Sequence, residues 1–418
     1  MTITRRWWLI AQQTRRLWFK ATLYCAVAIA TALVAILLGP YIPEGLSRRV
    51  GSDAVDAILT IIASSMLAVT TFSLSTLVSA TSTAASTATP RATSLLLQDA
   101  TAQRALSTFL GAFLFSLVGL IGLKSGLYTD GGRLVLFIAT LVVVALIVGT
   151  LLRWIDHLAG LGRMGETISR VEKAATSAMA AYRHLPYLGA EPYEHLPDAA
   201  IAVGNGRIGY IQHLDVSALS DVAERIEGRI YVARRPGGYC DPSNPIAHVV
   251  LDDPQATLEA DALDDIRDAF GVADRRSYEQ DPRFGLIALS EIGSRALSPG
   301  INDPGTAIDV LAAIVRVFAT EPEGGEEDGE PPRYPRVHLP PLAADDLIDA
   351  AFMPISRDGA GMIEVCIRLQ KALSAVAHMA DGDCARAARN YRDIARARAL
   401  ETLSFEVDRE RLMAHAPA

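Results

Sequence analysis

The sequence predicts an α-helical transmembrane region of four helices, followed by a cytosolic α+β domain and a helical C-terminal portion. Three observations predict it. Four long stretches lack any charged residue, and all of them end by Leu152. Short strand-like segments set among turn residues then occupy 200–255, and helical patterns take over from about Thr257. Finally, the chain is 50% hydrophobic yet carries a formal net charge of −8, as an apolar part joined to an acidic soluble part would.

The charge-free stretches are about 21–43, 57–90, 105–123 and 134–152. A helix needs about 20 apolar residues to cross a hydrocarbon layer roughly 30 Å thick. Residues 1–155 therefore read as a four-helix transmembrane domain in the lipid bilayer. The first stretch is too long for a signal-peptide core and lacks a small-x-small cleavage site, so it is expected to remain a helix. Orientation follows from Lys and Arg in the flanks. Arg5, Arg6, Arg15, Arg16, Lys20, Arg91, Arg104, Arg153, Arg163, Arg170 and Lys173 lie on one side, against Arg48, Arg49, Lys124 and Arg133 on the other. That asymmetry predicts an inner-membrane protein with both termini in the cytoplasm. Trp7, Trp8, Trp18 and Trp154 are expected as aromatic anchors at the cytoplasmic interface.

The second stretch is unusual. As a continuous helix its 34 residues would run about 50 Å, well beyond the bilayer core. Fifteen of the thirty residues 60–89 are Ser or Thr. Ser64, Ala68, Thr71, Ser75, Ser79, Ser82, Ser86 and Thr89 follow at steps of three or four, one small hydroxyl-bearing stripe along the helix. Two readings stay open. Small residues let membrane helices approach closely. Alternatively, hydroxyls line a water-filled pathway and replace part of an ion's hydration, with Ser64, Thr71, Ser75, Ser79, Ser82 and Ser86 as pore-lining candidates. No acidic residue lies within a hydrophobic core, which weighs against a proton pump.

Residues 156–199 read as a helical stalk and linker. Leu161, Met164, Ile168, Val171, Ala175, Ala178 and Tyr182 form a heptad-like seam, closed by Pro186 and Pro192. The seam either packs on the chain's own domain or joins copies in a homo-oligomer. In the small α/β domain, 200–255, "RIGYIQ", "GRIYVARR" and 246–251 read as strands, and a helix starts at Asp215. Gly204, Gly206 and Gly209 match Gly-x-Gly-x-x-Gly, but a strand rather than a helix follows, so nucleotide binding is not expected. Residues 256–418 read as mainly helical, with candidates at 257–270, 283–297, 304–320, 343–353, 359–380 and 383–413 and a disordered acidic loop at 321–332. The C-terminal helix mixes both charge signs at helical spacing. Such a face is solvated and does not point to nucleic acid.

"ALSPGINDPGTA", 296–307, is the most distinctive run. Ser298-Pro299-Gly300 stops one helix, while Asp303 as N-cap and Pro304 at the first position start the next. Glu291, Arg295, Ser298, Asn302 and Asp303 remain candidates for an ion, a small polar ligand or an interface, with Glu291 and Arg295 able to pair one turn apart. No nucleophile, His dyad or metal-ligand spacing accompanies them, and Cys25, Cys240, Cys366 and Cys384 are too scattered for zinc or a disulfide framework. The expectation is no enzyme, no catalytic residue, no metal and no cofactor.

"SRALSPGINDPGTAID", with "DPRFGLIALSEIGSRAL", "GYIQHLD", "RRPGGYC" and "TPR" after the second hydrophobic helix, resembles the bacterial membrane proteins gathered as domain of unknown function 2254. The resemblance covers nearly the whole chain. It implies a four-helix membrane region, a soluble C-terminal portion and no activity to carry over. The sequence departs from that family at Gly305, where a bulky residue is commoner, and in its acidic insert. The expectation it leaves is an oligomeric membrane protein with a channel-like pathway, or else a membrane-anchored signalling or assembly scaffold.

Overall fold

The computed structural model describes residues 17–38, 52–87, 89–97, 99–160, 163–321 and 331–415. Outside them lie Arg5, Arg6, Trp7, Trp8, Arg15, Arg16, Arg48, Arg49, Leu161 and most of the acidic loop; the side chains of Trp18, Lys20 and Ser86 are likewise not described. The described residues divide into two compact units, one between 17 and 86 and from 93 to 166, the other of 87–92 and 167–415.

Among the described residues of the first unit, four helices are long and apolar enough to cross a membrane: α1 (Leu17–Leu38), α2 (Ser52–Thr87), α4 (Ala100–Lys124) and α5 (Asp130–Gly160). A short helix, α3 (Pro90–Leu97), lies between the second and third. Small residues bring α1 and α4 together. A Cβ added at Gly111 would meet the Tyr24 carbonyl oxygen at 3.4 Å, and one at Gly122 would meet the Tyr128 ring at 2.5 Å. The Tyr128 hydroxyl donates to the Ala32 carbonyl at 2.8 Å, satisfying a polar group inside an apolar seam. Helix α2 is attached differently. Val55, Leu59, Ile62, Met66, Ser73 and Leu77 form its buried face, and their mostly long side chains hold the α2 backbone away from its neighbours. Trp154 is not an interface anchor: it is 1% exposed, packed among Phe109, Leu106 and Ile62.

The second unit begins its main run with α6 (Met164–His184), whose residues from 167 onward belong to it. Ile168, Val171, Ala175 and Ala178 are buried. Ala175 lies so close to Gly285 that a Cβ there would sit 2.4 Å from the alanine methyl. Glu172 takes a two-pronged ion pair from Arg316 at 2.6 and 2.8 Å. The seam's alanine at 175 thus makes a close intramolecular helix pair, and the chain buries the seam from Ile168 to Ala178.

A five-stranded mixed sheet follows, in the order β1 (Ala190–Pro192), β8 (Tyr334–Leu339), β4 (Gly228–Val232), β6 (Pro245–Leu251), β2 (Ile201–Gly204). Beside it is a three-stranded antiparallel sheet, β5 (Tyr239–Cys240), β3 (Gly209–Leu214), β7 (Phe270–Ala273). Ile230, Val232, Val249 and Val337 build the core with Leu219 and Val222 of α7 (Val216–Arg225), which Asp215 caps through the Ala218 N–H at 3.1 Å. Gly204 ends a strand and Gly209 opens one, so no helix N-terminus meets the glycine motif.

Three expectations need correction here. Strand β8 comes from the portion expected to be mainly helical and pairs in parallel with β1 and β4, so 200–255 does not complete its own sheet. The helix expected over 257–270 is α8 (Ala260–Asp268), and Phe270 already begins β7 because it pairs with Leu214. The C-terminal helix is two, α13 (Gly382–Thr402) and α14 (Glu406–Ala414), broken where Leu403 turns in to pack with Cys366, Ala399 and Leu412. The other helices are α9 (Pro282–Ala296), α10 (Pro304–Phe318), α11 (Ala344–Asp358) and α12 (Ile363–Met379).

Candidate functional site

Ser64, Thr71, Ser75, Ser79 and Ser82 are all exposed on α2. At 100° per residue they fall roughly opposite Leu59, Ile62, Met66 and Leu77, the face α2 uses inside its own bundle. Among the described residues, the stripe therefore packs against no other helix of the chain. Two of its hydroxyls turn back onto the helix: Ser64 donates to the Thr60 carbonyl at 3.0 Å and Thr71 to that of Leu67 at 2.9 Å. Off the stripe, Ser65, Thr70 and Thr76 do the same. Ser75, Ser79 and Ser82, with Leu74, Val78 and Thr83, line a shallow concavity. The apolar span of α2 is 30 residues, about 45 Å, longer than the hydrocarbon layer needs.

The "SPGINDP" connection is a tight turn. Ser298's carbonyl accepts the N–H groups of Ile301 and Asn302 at 3.0 and 2.8 Å, and Asp303 N–H donates to the Ala296 carbonyl at 2.8 Å. Asn302 has φ +51°, a left-handed conformation that Asn tolerates better than most residues. Asp303 caps α10, accepting from the Thr306 N–H at 3.0 Å and the Thr306 hydroxyl at 2.6 Å. These bonds hold its carboxyl below the usual carboxylate range. Asn302 and Asp303 are exposed, and the Asp303 carboxylate is committed to the cap.

Glu291 forms its ion pair with Arg91, two hundred positions earlier. Arg91 belongs to residues 87–92, which group with 167–418. Thr89 is buried and its hydroxyl accepts the Ala92 N–H at 3.4 Å, so Thr89-Pro90 restarts a helix as Asp303-Pro304 does. Tyr278 donates to the Arg91 carbonyl at 3.1 Å, and burial pushes that hydroxyl far above the ordinary tyrosine range. Its ring rests on Phe284, with centroids 4.5 Å apart, and Arg276 lies over the other part of that ring at 5.5 Å. Arg276 in turn binds Asp281, which is 2% exposed and caps α9 through the Arg283 N–H. A Cβ at Gly237 would fall 2.1 Å from the Asp281 carboxylate, and φ there is +85°, so "RRPGGYC" requires its glycine. Sequence reading singled out neither Tyr278 nor Arg276. Only the quoted motifs around them could have pointed there.

Among the described residues, no group of three or more His, Cys, Asp or Glu is placed to hold a metal ion. The sequence profile of a family described as predicted membrane protein, domain of unknown function 2254, matches residues 14–375. The chain belongs to this family. As a member of domain of unknown function 2254 it is a multi-pass membrane protein, and its four apolar helices are candidate spans. Uncharacterised proteins of Mycobacterium bovis and Mycobacterium tuberculosis are 50% identical to this family member over 48 residues. That stretch is 11% of this chain and spans 9% of the relatives' length. No solved structure matches the chain.

Proposed function

We propose that the chain assembles as a homo-oligomer in the bacterial inner membrane, with the hydroxyl face of α2 from several copies lining a channel-like pathway for an ion or small polar solute. Residues 167–418 then form a cytoplasmic regulatory or scaffold domain, with both termini on that side, as the basic flanks favour. No enzymatic step is assigned. One observation carries the proposal: the stripe of Ser64, Thr71, Ser75, Ser79 and Ser82 is turned away from the chain's own helices. A row of hydroxyls facing lipid gains little, whereas the same row facing other copies gives close packing or a polar lining.

Ion or solute flux through liposomes holding the purified protein tests this reading, with a Ser79→Cys variant to report copy-to-copy disulfides. The expected result is flux together with crosslinking at position 79. Electrical silence across varied ions and pH, with no crosslink, overturns it. The alternative is a membrane-anchored signalling or assembly scaffold without a pore. It is favoured by the self-bonded hydroxyls of Ser64, Ser65, Thr70, Thr71 and Thr76, which tolerate lipid because each is already satisfied. Crosslinking without flux would select it.

A further inference from the structure

We propose that Thr89–Ala92 is a coupling joint, clasped by Glu291 and Tyr278, through which residues 167–418 fix the position of the chain just after the second membrane helix. The inference does not need a pore and stands whether or not α2 lines one. Helix α2 packs in its own bundle through side chains, Leu59 lying 3.2 Å from the Cβ position of Gly119 in α4. From its last residue, Thr87, the chain already belongs to the other unit.

The clasp holds Arg91 at both its side chain and its backbone. Glu291 pairs with the guanidinium, and the Tyr278 hydroxyl donates to the carbonyl at 3.1 Å. Ala92 is 1% exposed and Thr89 7%, so the turn itself is seated. Behind the clasp, Tyr278, Phe284, Arg276 and Asp281 form one connected stack ending in a carboxylate that is 2% exposed. Glu291 stands on α9, the same helix that Asp281 caps. A shift of α9 relative to its surroundings would thus move the restart of the chain at Pro90, and with it the end of α2. Because α9 runs directly into the "SPGINDP" turn, the quoted motifs lie along one line of contact.

Hydrogen–deuterium exchange of the full chain in lipid nanodiscs tests the joint, reading peptides that cover 83–97. Arg91→Glu and Glu291→Arg should each speed exchange there by about two- to five-fold, the effect of losing a half-exposed ion pair. The double swap should bring exchange back toward the parent rate. Tyr278→Phe, which removes one hydroxyl and leaves the ring, should speed exchange in the same peptides. Unchanged exchange in 83–97 in all three single variants overturns the proposal. So does an equal rise across the whole of 167–415, which would mean general destabilisation with no separate joint. Failure of the double swap to restore the parent rate overturns the Arg91–Glu291 clasp. Flux is not part of the readout, so the joint and the pathway fail separately.

Discussion

Small residues occur in three helix faces of this protein and meet three different fates. In α4, Gly111 lies against the Tyr24 backbone of α1 and Gly122 against the Tyr128 ring, whose hydroxyl reaches the Ala32 carbonyl of α1. In α6, Ala175 meets Gly285 of α9. In α2, Ser64, Thr71, Ser75, Ser79 and Ser82 are exposed among the described residues. A membrane offers little hydrophobic drive for helices to associate, so close approach and polar contacts must supply it. The α1–α4 face uses that close approach within one copy. The α2 stripe keeps it available, which is why it, and not α4, is the surface assigned to partners.

The comparison breaks most easily at Gly122. Gly122→Leu drives a side chain into the Tyr128 ring, where even a Cβ would lie at 2.5 Å. It should cost about 3 kcal/mol and lower the thermal unfolding temperature of the detergent-solubilised monomer. A variant as stable as the parent would show that the Tyr128 ring does not pack on Gly122 as described. The opposite pattern is expected for the triple change of Ser75, Ser79 and Ser82 to Leu. Those positions are exposed, so the monomer should move by less than about 0.5 kcal/mol. Flux and the copy-to-copy crosslink should nevertheless disappear. If the triple variant unfolds like Gly122→Leu, the stripe is an intramolecular seam and the distinction collapses.

Much of this was legible because the constraint is local or is a matter of length. A bilayer demands about 20 apolar residues in a row, so four charge-free stretches announce themselves. Caps act within one turn, so Asp215 and Asp303-Pro304 marked the starts of α7 and α10. What stayed hidden depends on distant partners. "YPRVHL" is short and contains Pro335; its pairing with β1 and β4, about a hundred residues or more earlier, makes it a strand. Trp154 looked like an interface anchor because its burial is decided by Phe109 and Ile62 on other helices. The pairing of Arg91 with Glu291 has no local signature, since either residue alone reads as a surface charge. The α2 stripe was legible as a pattern, but which way it faces was not.

Polar side chains sharpen the comparison further. On α2 the hydroxyls of Ser64 and Thr71 satisfy carbonyls already bonded in their own helix, which adds little to stability. At the head of α10, Asp303 satisfies an N–H that no helical carbonyl can reach. Removing the first kind should therefore cost less than removing the second. Asp303→Ala should destabilise the protein by about 1 kcal/mol in denaturant unfolding, whereas Asp303→Asn, an equally good cap, should cost only a few tenths. The pH dependence has a definite sign. Bonds to Thr306 depress the folded-state carboxyl below its unfolded value, so the charged cap contributes fully above about pH 4. That contribution is lost as pH falls through the lower folded value. Asp303→Asn should remove this acid-side slope while keeping most of the stability at neutral pH. If Asp303→Ala costs no more than Ser64→Ala, the turn is held by Pro304 and the left-handed Asn302 alone, and the carboxylate is free for a ligand after all.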